Sequence, residues 1–489
     1  MWVIISSFDL SRLYGILILY AGKTSAAAPE LMESTENVKY NLTEGAIVRK
    51  LLLIAVPIMG TQFIQMAYNL TDLFWLGRVG SGAVAAAGAG GMYLWLSFGF
   101  LLIGRMGAEI GVSQHIGKGD KKSALAFSQN AMIIAVSLGF LFGLAQVLFS
   151  GSLIGFFNFR EKEVAAAGAQ YILITGIPTP LIFVASVAVG SFNASGNSRT
   201  PFLLNGLGLV INVILDPIFI LVLGMGVKGA ATATIIAQII SSSAILIALF
   251  TSKGRPFERF SLRFRPELKK IVRLFKWALP IGLESILYCF LYMLCSRIEA
   301  SFGADAVAVG KIGTQIESLS WLIGGGFSSA LVSFIGQNYG AGKWERIHHG
   351  LKIAVALMTT WGTFITLLFL TRGGSIFSLF LSAPALVSLG RRYLFIFAFS
   401  QLSMNLEGVA SGAFKGTGRT IPPSLASIVS NAATPLLAFI ISRTSLGLSG
   451  VWVGVMLATV VRGLWICVWY ILIAKKTYQN LATSPHKTC

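Results

Sequence analysis

The chain has 489 residues, of which 55% are hydrophobic and 12% are charged, and its mean hydropathy is +0.76. Soluble domains carry about 25% charged residues, so this composition excludes an ordinary soluble protein and predicts a polytopic membrane protein. A net charge of +19 would suggest a nucleic-acid partner for a soluble protein, but the sequence holds no basic, aromatic-interleaved soluble domain, and we predict no nucleic-acid binding. The four cysteines and four histidines form no CxxC, HExxH or Ser/His/Asp arrangement, so the sequence does not indicate an enzyme.

The first 48 residues are predicted to form a cytoplasmic lead-in. An apolar run over residues 16–21 is too short to cross a bilayer, and Arg12 is the only basic residue before it, which is a poor match to a signal peptide. We therefore expect translation to begin at Met32.

About twelve apolar segments follow, and each is long enough for a bilayer that needs roughly 20 apolar residues. They cover residues 51–77, 84–112, 125–150, 164–190, 201–224, 229–251, 275–300, 306–335, 350–371, 386–411, 421–443 and 449–474. The predicted domains are an N-terminal six-helix bundle (49–251), a basic linker (252–274), a C-terminal six-helix bundle (275–474) and a tail (475–489). Lysine and arginine concentrate in the linker and in loops on the same side, which places both termini in the cytoplasm.

The run from Asn212 to Pro217 puts polar residues inside an apolar span. An intramembrane Asp is costly and is by default a candidate functional residue. Asn212 and Asp216 are four residues apart and share one helix face, while Pro217 cannot hydrogen-bond the carbonyl of Val213. Such an oxygen-rich cluster suits a hard cation, or a proton held by the carboxylate. The alternative is that Asp216 only bonds a neighbouring helix.

The two halves of the chain resemble each other. Pro57-Ile58 matches Pro280-Ile281 (280 − 57 = 223), and the same offset pairs Gln114-x-x-Gly117-x-Gly119 with Gln337-x-x-Gly340-x-Gly342. Because each half holds an even number of spans, both halves start from the same side of the membrane, which predicts parallel repeats with a substrate path between them. The predicted fold is therefore all-α and integral to the membrane, with about twelve transmembrane helices in two parallel six-helix repeats.

Several short motifs follow one another in order along the chain. They are Asn41-Leu-Thr-Glu-Gly45, Ala55-Val-Pro-Ile-Met59, Tyr68-Asn-Leu-Thr-Asp72, Asn212-Val-Ile-Leu-Asp-Pro217, Gly313-Thr-Gln-Ile-Glu-Ser318, Gly336-Gln-Asn-Tyr-Gly-Ala341 and Gly416-Thr-Gly-Arg-Thr420. This set covers about residues 40 to 475 and resembles the multidrug and toxic compound extrusion (MATE) transporters, most closely their DinF-like branch. The resemblance implies two six-helix bundles that form a V-shaped central cavity. It also implies export of organic cations and other amphipathic drugs against an inward flow of Na⁺ or H⁺.

The same resemblance implies a monomer in the lipid bilayer of a bacterial or archaeal inner (plasma) membrane, with no cofactor besides the coupling ion. It places that ion, Na⁺ or H⁺, in the N-terminal bundle at Asp72, Asn212, Asp216 and Thr234, with the carbonyl of Ala230 as a further ligand. Counting residues agrees with this assignment. Asp72, Asp216 and Thr234 lie about five, eight and five residues from the outer ends of their spans, so at 1.5 Å per residue their depths agree within about 5 Å.

A second group of residues is predicted to line the substrate cavity, because aromatic and methionine side chains bind bulky apolar cations through dispersion and cation–π contacts. The candidates are Tyr68, Phe63, Met66, Tyr288 and Tyr292, with Glu284 as a candidate carboxylate on the seventh span. Packing against lipid or in the core is the alternative for each of them. In the second half Cys295 stands at the position that corresponds to Asp72 (72 + 223 = 295), which argues against a second coupling site there.

Two further charged residues, Arg105 and Glu109, lie four residues apart in the second span. We expect them to pair on one helix face and to neutralise each other, since residues at this spacing are neighbours on a helix. Lining the cavity is the alternative.

Two other functions stay open. A lipid-linked oligosaccharide flippase of the wider superfamily would need several basic residues in its cavity, and Arg105, Lys311 and Arg297 are the candidates. An integral-membrane transferase would need a catalytic His or a carboxylate pair at the membrane surface, and the loops offer no convincing example.

The expected start at Met32 makes a testable prediction. Mass spectrometry of the native protein should find peptides that begin at or after this residue. A peptide from residues 1–31 would contradict it.

Overall fold

A computed structural model describes residues 40–159, 161–252, 254–261 and 264–483, apart from the side chains of residues 304 and 474–483. The expected start at Met32 lies outside the described residues. The residues from Leu42 onward form one unit, and its described part contains helices and no strand. The predicted all-α membrane fold is therefore confirmed.

The helices are numbered in chain order. They are α1 (Ile47–Val79), α2 (Ser81–Gly117), α3 (Lys121–Gly155), α4 (Lys162–Gly176), α5 (Thr179–Ala194), α6 (Arg199–Pro217), α7 (Gly226–Thr251), α8 (Leu268–Ala300), α9 (Ala304–Gly340), α10 (Trp344–Phe377), α11 (Pro384–Gly416), α12 (Ile421–Ser442) and α13 (Leu448–Thr483). A π-helical turn, Ile218–Val222, extends α6.

Ten of the described helices are long and apolar enough to cross a membrane, or eleven spans if α4 and α5 count as one. The predicted fourth span is in fact these two helices, bent by 51° at Ile177 and Pro178. Proline supplies no N–H to the preceding turn, so the hydrogen-bond ladder breaks there. The predicted span at 386–411 lies within α11, which has 33 residues but carries several charges along its length. The protein is a multi-pass membrane protein.

The last residues of the predicted lead-in are packed into the fold. Leu42 is fully buried, and its N–H donates to Gln337 Oε1 at 3.0 Å. The Leu42 carbonyl accepts hydrogen bonds from Asn338 and Arg346. This segment is therefore tied to α9 and α10 before α1 begins.

Helix packing follows the sequence repeat. In the first half α1 packs against α6 and against α9 of the other half, and in the second half α8 packs against α12 and against α2. The two second helices, α2 and α9, pack directly against each other. Each half therefore contacts the other through its first two long helices.

The inner ends of α2 and α9 make a close contact that the repeat duplicates. A Cβ atom on Gly117 would overlap the carbonyl of Gln337, and one on Gly340 would overlap the carbonyl of Gln114. Only glycine at both positions lets the two backbones approach this closely. These four residues are called the inner junction below.

The glutamines of the inner junction also exchange hydrogen bonds between the halves. Gln114 Nε2 donates to the carbonyl of Gly416 at 2.9 Å, and Gln337 Nε2 donates to the carbonyl of Ala194 at 2.7 Å. Gly416 and Ala194 are the last residues of α11 and α5, where helix carbonyls lack partners within the helix. Each glutamine thus completes a helix end in the opposite half.

Immediately beyond the junction, Gly119 and Gly342 adopt φ angles of +77° and +68°, which favour glycine. The two halves therefore make the same tight turn at matching positions. Asp120 is the N-cap of α3, and its side chain accepts a hydrogen bond from the Ser123 N–H at 2.9 Å.

The inner junction makes a testable prediction. Gly117→Ala should force α2 and α9 apart and lower the free energy of unfolding by about 1–3 kcal/mol, as overpacking does. Gly91→Ala is the matched control on the same helix, since a Cβ there meets nothing within 4 Å. Thermal unfolding in detergent measures both variants, and equal midpoints would contradict the prediction.

Candidate functional site: a buried oxygen cluster on α1, α6 and α7

The sequence places one buried polar side chain on each of two helices and two on a third. Asp72 lies on α1, Asn212 and Asp216 lie one turn apart on α6, and Thr234 lies on α7. Pro217 follows Asp216 directly and ends the regular α-helix, and the π-helical turn begins at the next residue. Single π-helical turns often occur at functional sites, because they change the direction in which neighbouring side chains point.

The structure brings these four side chains together. Asn212 Nδ2 lies 2.9 Å from Asp216 Oδ1, 3.4 Å from Thr234 Oγ1 and 3.5 Å from Asp72 Oδ1. The Thr234 hydroxyl in turn lies 3.0 Å from Asp72 Oδ2 and 3.2 Å from Oδ1. We call these residues the oxygen cluster.

The oxygen cluster is buried and its hydrogen bonding is incomplete. Asn212 and Asp216 are 0% exposed, and Thr234 and Asp72 are 4% and 8% exposed. Within the described part of the chain, Asn212 Oδ1 and Asp216 Oδ2 have no hydrogen-bond partner. A buried acceptor without a donor is costly, and two neighbouring carboxylates are costlier still when both are ionised. A cation or a proton between these oxygens removes that cost.

The ligand chemistry favours a hard monovalent cation or a proton over a transition metal. The two unpartnered atoms of the cluster, Asn212 Oδ1 and Asp216 Oδ2, are both oxygens, and oxygen ligands suit a hard cation such as Na⁺. Among the described residues no group of three or more His, Cys, Asp or Glu side chains could hold a metal ion. The four residues therefore fit Na⁺ or H⁺ as the ion.

Three neighbouring residues complete the surroundings. Ala230 is fully buried one turn before Thr234, and its carbonyl takes no part in the hydrogen bonds described above. Tyr68 lies one turn before Asp72, with its hydroxyl close to Gly208 of α6. Tyr171 of α4 is buried within electrostatic range of both carboxylates. Sequence reasoning did not identify Tyr171, because this residue belongs to none of the matching motifs.

Two of the predicted cavity residues form an aromatic group that joins the halves. Trp95 of α2 lies edge-on to Tyr288 and Tyr292 of α8, with ring centroids 6.2 and 5.7 Å apart. Tyr288 is 44% exposed and Trp95 is 42% exposed, so the group presents ring surface. Sequence reasoning did not include Trp95, since its position opposite α8 depends on packing between the halves.

The other predicted cavity residues have different surroundings. The sulfur of Met66 on α1 accepts a hydrogen bond from the Ser318 hydroxyl of α9 at 3.8 Å, so Met66 also faces the other half. Phe63, one turn earlier, is partly exposed. Glu284 accepts a hydrogen bond from Ser424 of α12 at 2.9 Å, which ties this carboxylate to its own half.

Arg105 and Glu109 do not form the expected ion pair, because their charged atoms do not come within 4.0 Å of each other. Glu109 instead accepts hydrogen bonds from Ser333 at 3.0 Å and Ser329 at 3.3 Å, both on α9. The helix spacing allows the pair, but the hydroxyls of the other half take one carboxylate oxygen.

In the second half Cys295 stands where the first half has Asp72, so the matching carboxylate is missing. Another carboxylate of this half, the partly buried Glu407, pairs with Arg462, whose Nε lies 2.9 Å from Oε2. Arg462 Nη1 also donates to Asn431 Oδ1 at 2.7 Å. A guanidinium therefore satisfies these oxygens.

This geometry defines the protein as a multi-pass helical membrane protein with a buried cluster of oxygen atoms in its first half. Comparison with known proteins gives the family. The MatE family model matches residues 57–218 and again 280–440, so the two matches begin 223 residues apart (280 − 57 = 223). Together they cover more than half of the chain, and the chain belongs to the MatE family.

Relatives and solved structures agree with this family assignment. The chain is 25% identical to the probable multidrug resistance protein NorM of Thermotoga maritima over 85% of this chain and 90% of that one. It is 25% identical to the probable multidrug resistance protein YpnP of Bacillus subtilis over 80% and 87%. Its fold matches a crystal structure of MATE in the bent conformation with a TM-score of 0.84, at 21% identity, over 91% and 99%. The assignment to the DinF-like branch stays a prediction.

Thr234 provides a direct test of the oxygen cluster. Thr234→Val should lower the affinity for Na⁺ or for protons at least about tenfold, since a hydrogen bond to a charged group contributes about 1.5–3 kcal/mol. The ion should therefore stabilise this variant less than it stabilises the wild type. Unfolding temperatures measured in sodium and choline salts, and across pH, report that affinity. Thr234→Ser should retain it.

Thr232→Val is the matched control, because the Thr232 hydroxyl donates to the carbonyl of Lys228 on its own helix. An ion response of Thr234→Val equal to that of Thr232→Val would remove Thr234 from the site.

Proposed function

We propose that the protein is a secondary active exporter that moves amphipathic organic cations and drugs out of the cell in exchange for Na⁺ or H⁺. The observation that carries the proposal is the pair of unpartnered buried oxygens, Asn212 Oδ1 and Asp216 Oδ2, within a cluster on three helices. Two relatives named as probable multidrug resistance proteins support the substrate class. The proposal includes transport without enzymatic activity, by a monomer in an inner (plasma) membrane with both termini in the cytoplasm.

The oxygen cluster supplies the coupling. Asp72 and Asp216 take up the ion, while Asn212 and Thr234 act as neutral ligands. Because the four residues come from α1, α6 and α7, an ion bound among them draws three helices together. The ion changes the conformation only as far as it binds one state more tightly than the other.

The conformation described here fits the outward-facing state of such a cycle. The inner junction closes α2 against α9 at the ends predicted to face the cytoplasm. The aromatic group of Trp95, Tyr288 and Tyr292 lies toward the other ends of α2 and α8 and presents exposed rings to a bulky cation. Parting of the inner junction then reopens the path to the cytoplasm, as rocking of parallel repeats requires.

The experiment that tests this function is dye efflux in everted membrane vesicles, with a Na⁺ gradient and a pH gradient imposed separately. Wild type should export the dye under one of the two gradients. Asp216→Asn should lose at least about 90% of that export, because a neutral amide can neither take up a proton nor offer a negative charge to Na⁺.

Asp305→Asn is the matched control, since this carboxyl group is exposed in the first turn of α9. Full export by Asp216→Asn would contradict the assignment of the ion site. Wild-type vesicles that export no organic cation under either gradient would reject the exporter and favour the flippase.

A further inference from the structure

Behind the inner junction lie two charged side chains that the coupling mechanism does not use. Glu109 is five residues before Gln114 on α2, or about 7.5 Å along the helix, and Arg105 is one turn further from the junction. Both face the same side of α2. A substrate from the cytoplasm meets this face as soon as the junction opens.

Each of the two side chains has a buried polar atom that finds no hydrogen-bond partner among the residues the structure describes. Glu109 is 0% exposed; its Oε1 is held by Ser329 and Ser333, and its Oε2 has no hydrogen bond. Arg105 Nε also has no hydrogen bond, although the rest of the side chain is partly exposed. The guanidinium nitrogens of Arg105 and the carboxylate oxygens of Glu109 do not come within 4.0 Å of each other. An acceptor and a donor without hydrogen bonds therefore lie one turn apart on the same face of α2.

Helix packing keeps this pair in place. Gly190 of α5 lies against the arginine stem, where a Cβ would come 3.3 Å from Arg105 Cγ. The partners of Glu109 come from α9, in the opposite half. The hydrogen bonds of Glu109 therefore depend on contact between the halves, whereas Arg105 is supported within its own half.

We propose that Arg105 and Glu109 form a substrate site for molecules that carry a cationic nitrogen and an anionic group together. The carboxylate accepts the N–H of the cation, and the guanidinium donates to a carboxylate or phosphate. A substrate with only a positive charge satisfies Glu109 but faces Arg105 with a like charge, whereas a zwitterion satisfies both. This inference rests on the proposed export function and names its preferred substrates as zwitterions.

Two dyes that differ by one methyl ester provide the test. Rhodamine 110 carries a carboxylate beside its cationic ring system, and rhodamine 123 is the methyl ester of the same molecule. The full-length protein is reconstituted in everted vesicles, and the apparent KM of gradient-driven uptake is measured for each dye. Wild type should show a KM at least about fivefold lower for rhodamine 110, because a charged hydrogen bond to Arg105 is added.

Three variants separate the two charges. Arg105→Gln should raise the KM of rhodamine 110 about tenfold but should not raise that of rhodamine 123, because the purely cationic dye loses only a like charge. Glu109→Gln should raise both about tenfold. Arg105→Lys keeps the charge and should keep the preference, which a merely structural arginine would not explain. Size-exclusion profiles in detergent show whether each variant is folded.

The proposal is overturned by equal KM values for the two dyes in wild type, or by an equal effect of Arg105→Gln on both. The wild-type ratio tests it even when a variant does not fold. Gradient-driven uptake with no preference rejects this inference and leaves the exporter intact. No uptake of either dye under any gradient rejects both.

Discussion

The close contact of α2 with α9 at the inner junction sets the arrangement of the two halves. Helices in a membrane gain little from apolar contact with each other, since lipid is equally apolar, so close backbone approach and hydrogen bonds decide how they associate. Gly117 and Gly340 supply the approach, and Gln114 and Gln337 supply the bonds to helix ends in the opposite half. The Trp95 group and Glu109 take their partners from the helices that this contact brings together.

The oxygen cluster shows why a polar side chain inside a membrane bundle is a strong indication of a functional or paired residue. A carboxylate inside a bundle must be paired, neutralised or ready to bind, because water is not there to solvate it. Glu407 in the second half is paired with Arg462. Among the described residues, Asp216 in the first half has an amide partner on one oxygen and no hydrogen bond on the other. The two halves share a scaffold, yet they treat these two carboxylates differently: a guanidinium pairs with Glu407, and an amide alone bonds Asp216.

The apolar pattern was sufficient for the positions of most membrane spans, and charged residues inside long apolar segments are rare, so Asp216 stood out. The grouping of Asp216 with Asp72 and Thr234 came from the resemblance of the motifs to a known family, and helix geometry agreed with it because it placed the three at similar depth. The break at Ile177 and Pro178 was less visible, because the apolar pattern continues through it and proline is tolerated in membrane helices. Local spacing also failed for Glu109. Its partners are 220 and 224 residues away, and contacts between repeats leave no mark in the helical period.

The reciprocal bonds of the inner junction have the form of an isologous interface. Gln114 reaches the end of α11 as Gln337 reaches the end of α5, so one surface patch meets its own counterpart about a twofold axis. A six-helix chain with these residues would complete its helix ends by associating with a second copy of itself. The present chain therefore has the symmetry of a homodimer whose subunits have been joined covalently. Once joined, the two halves became free to diverge, and Cys295 of the second half stands where the first half has Asp72.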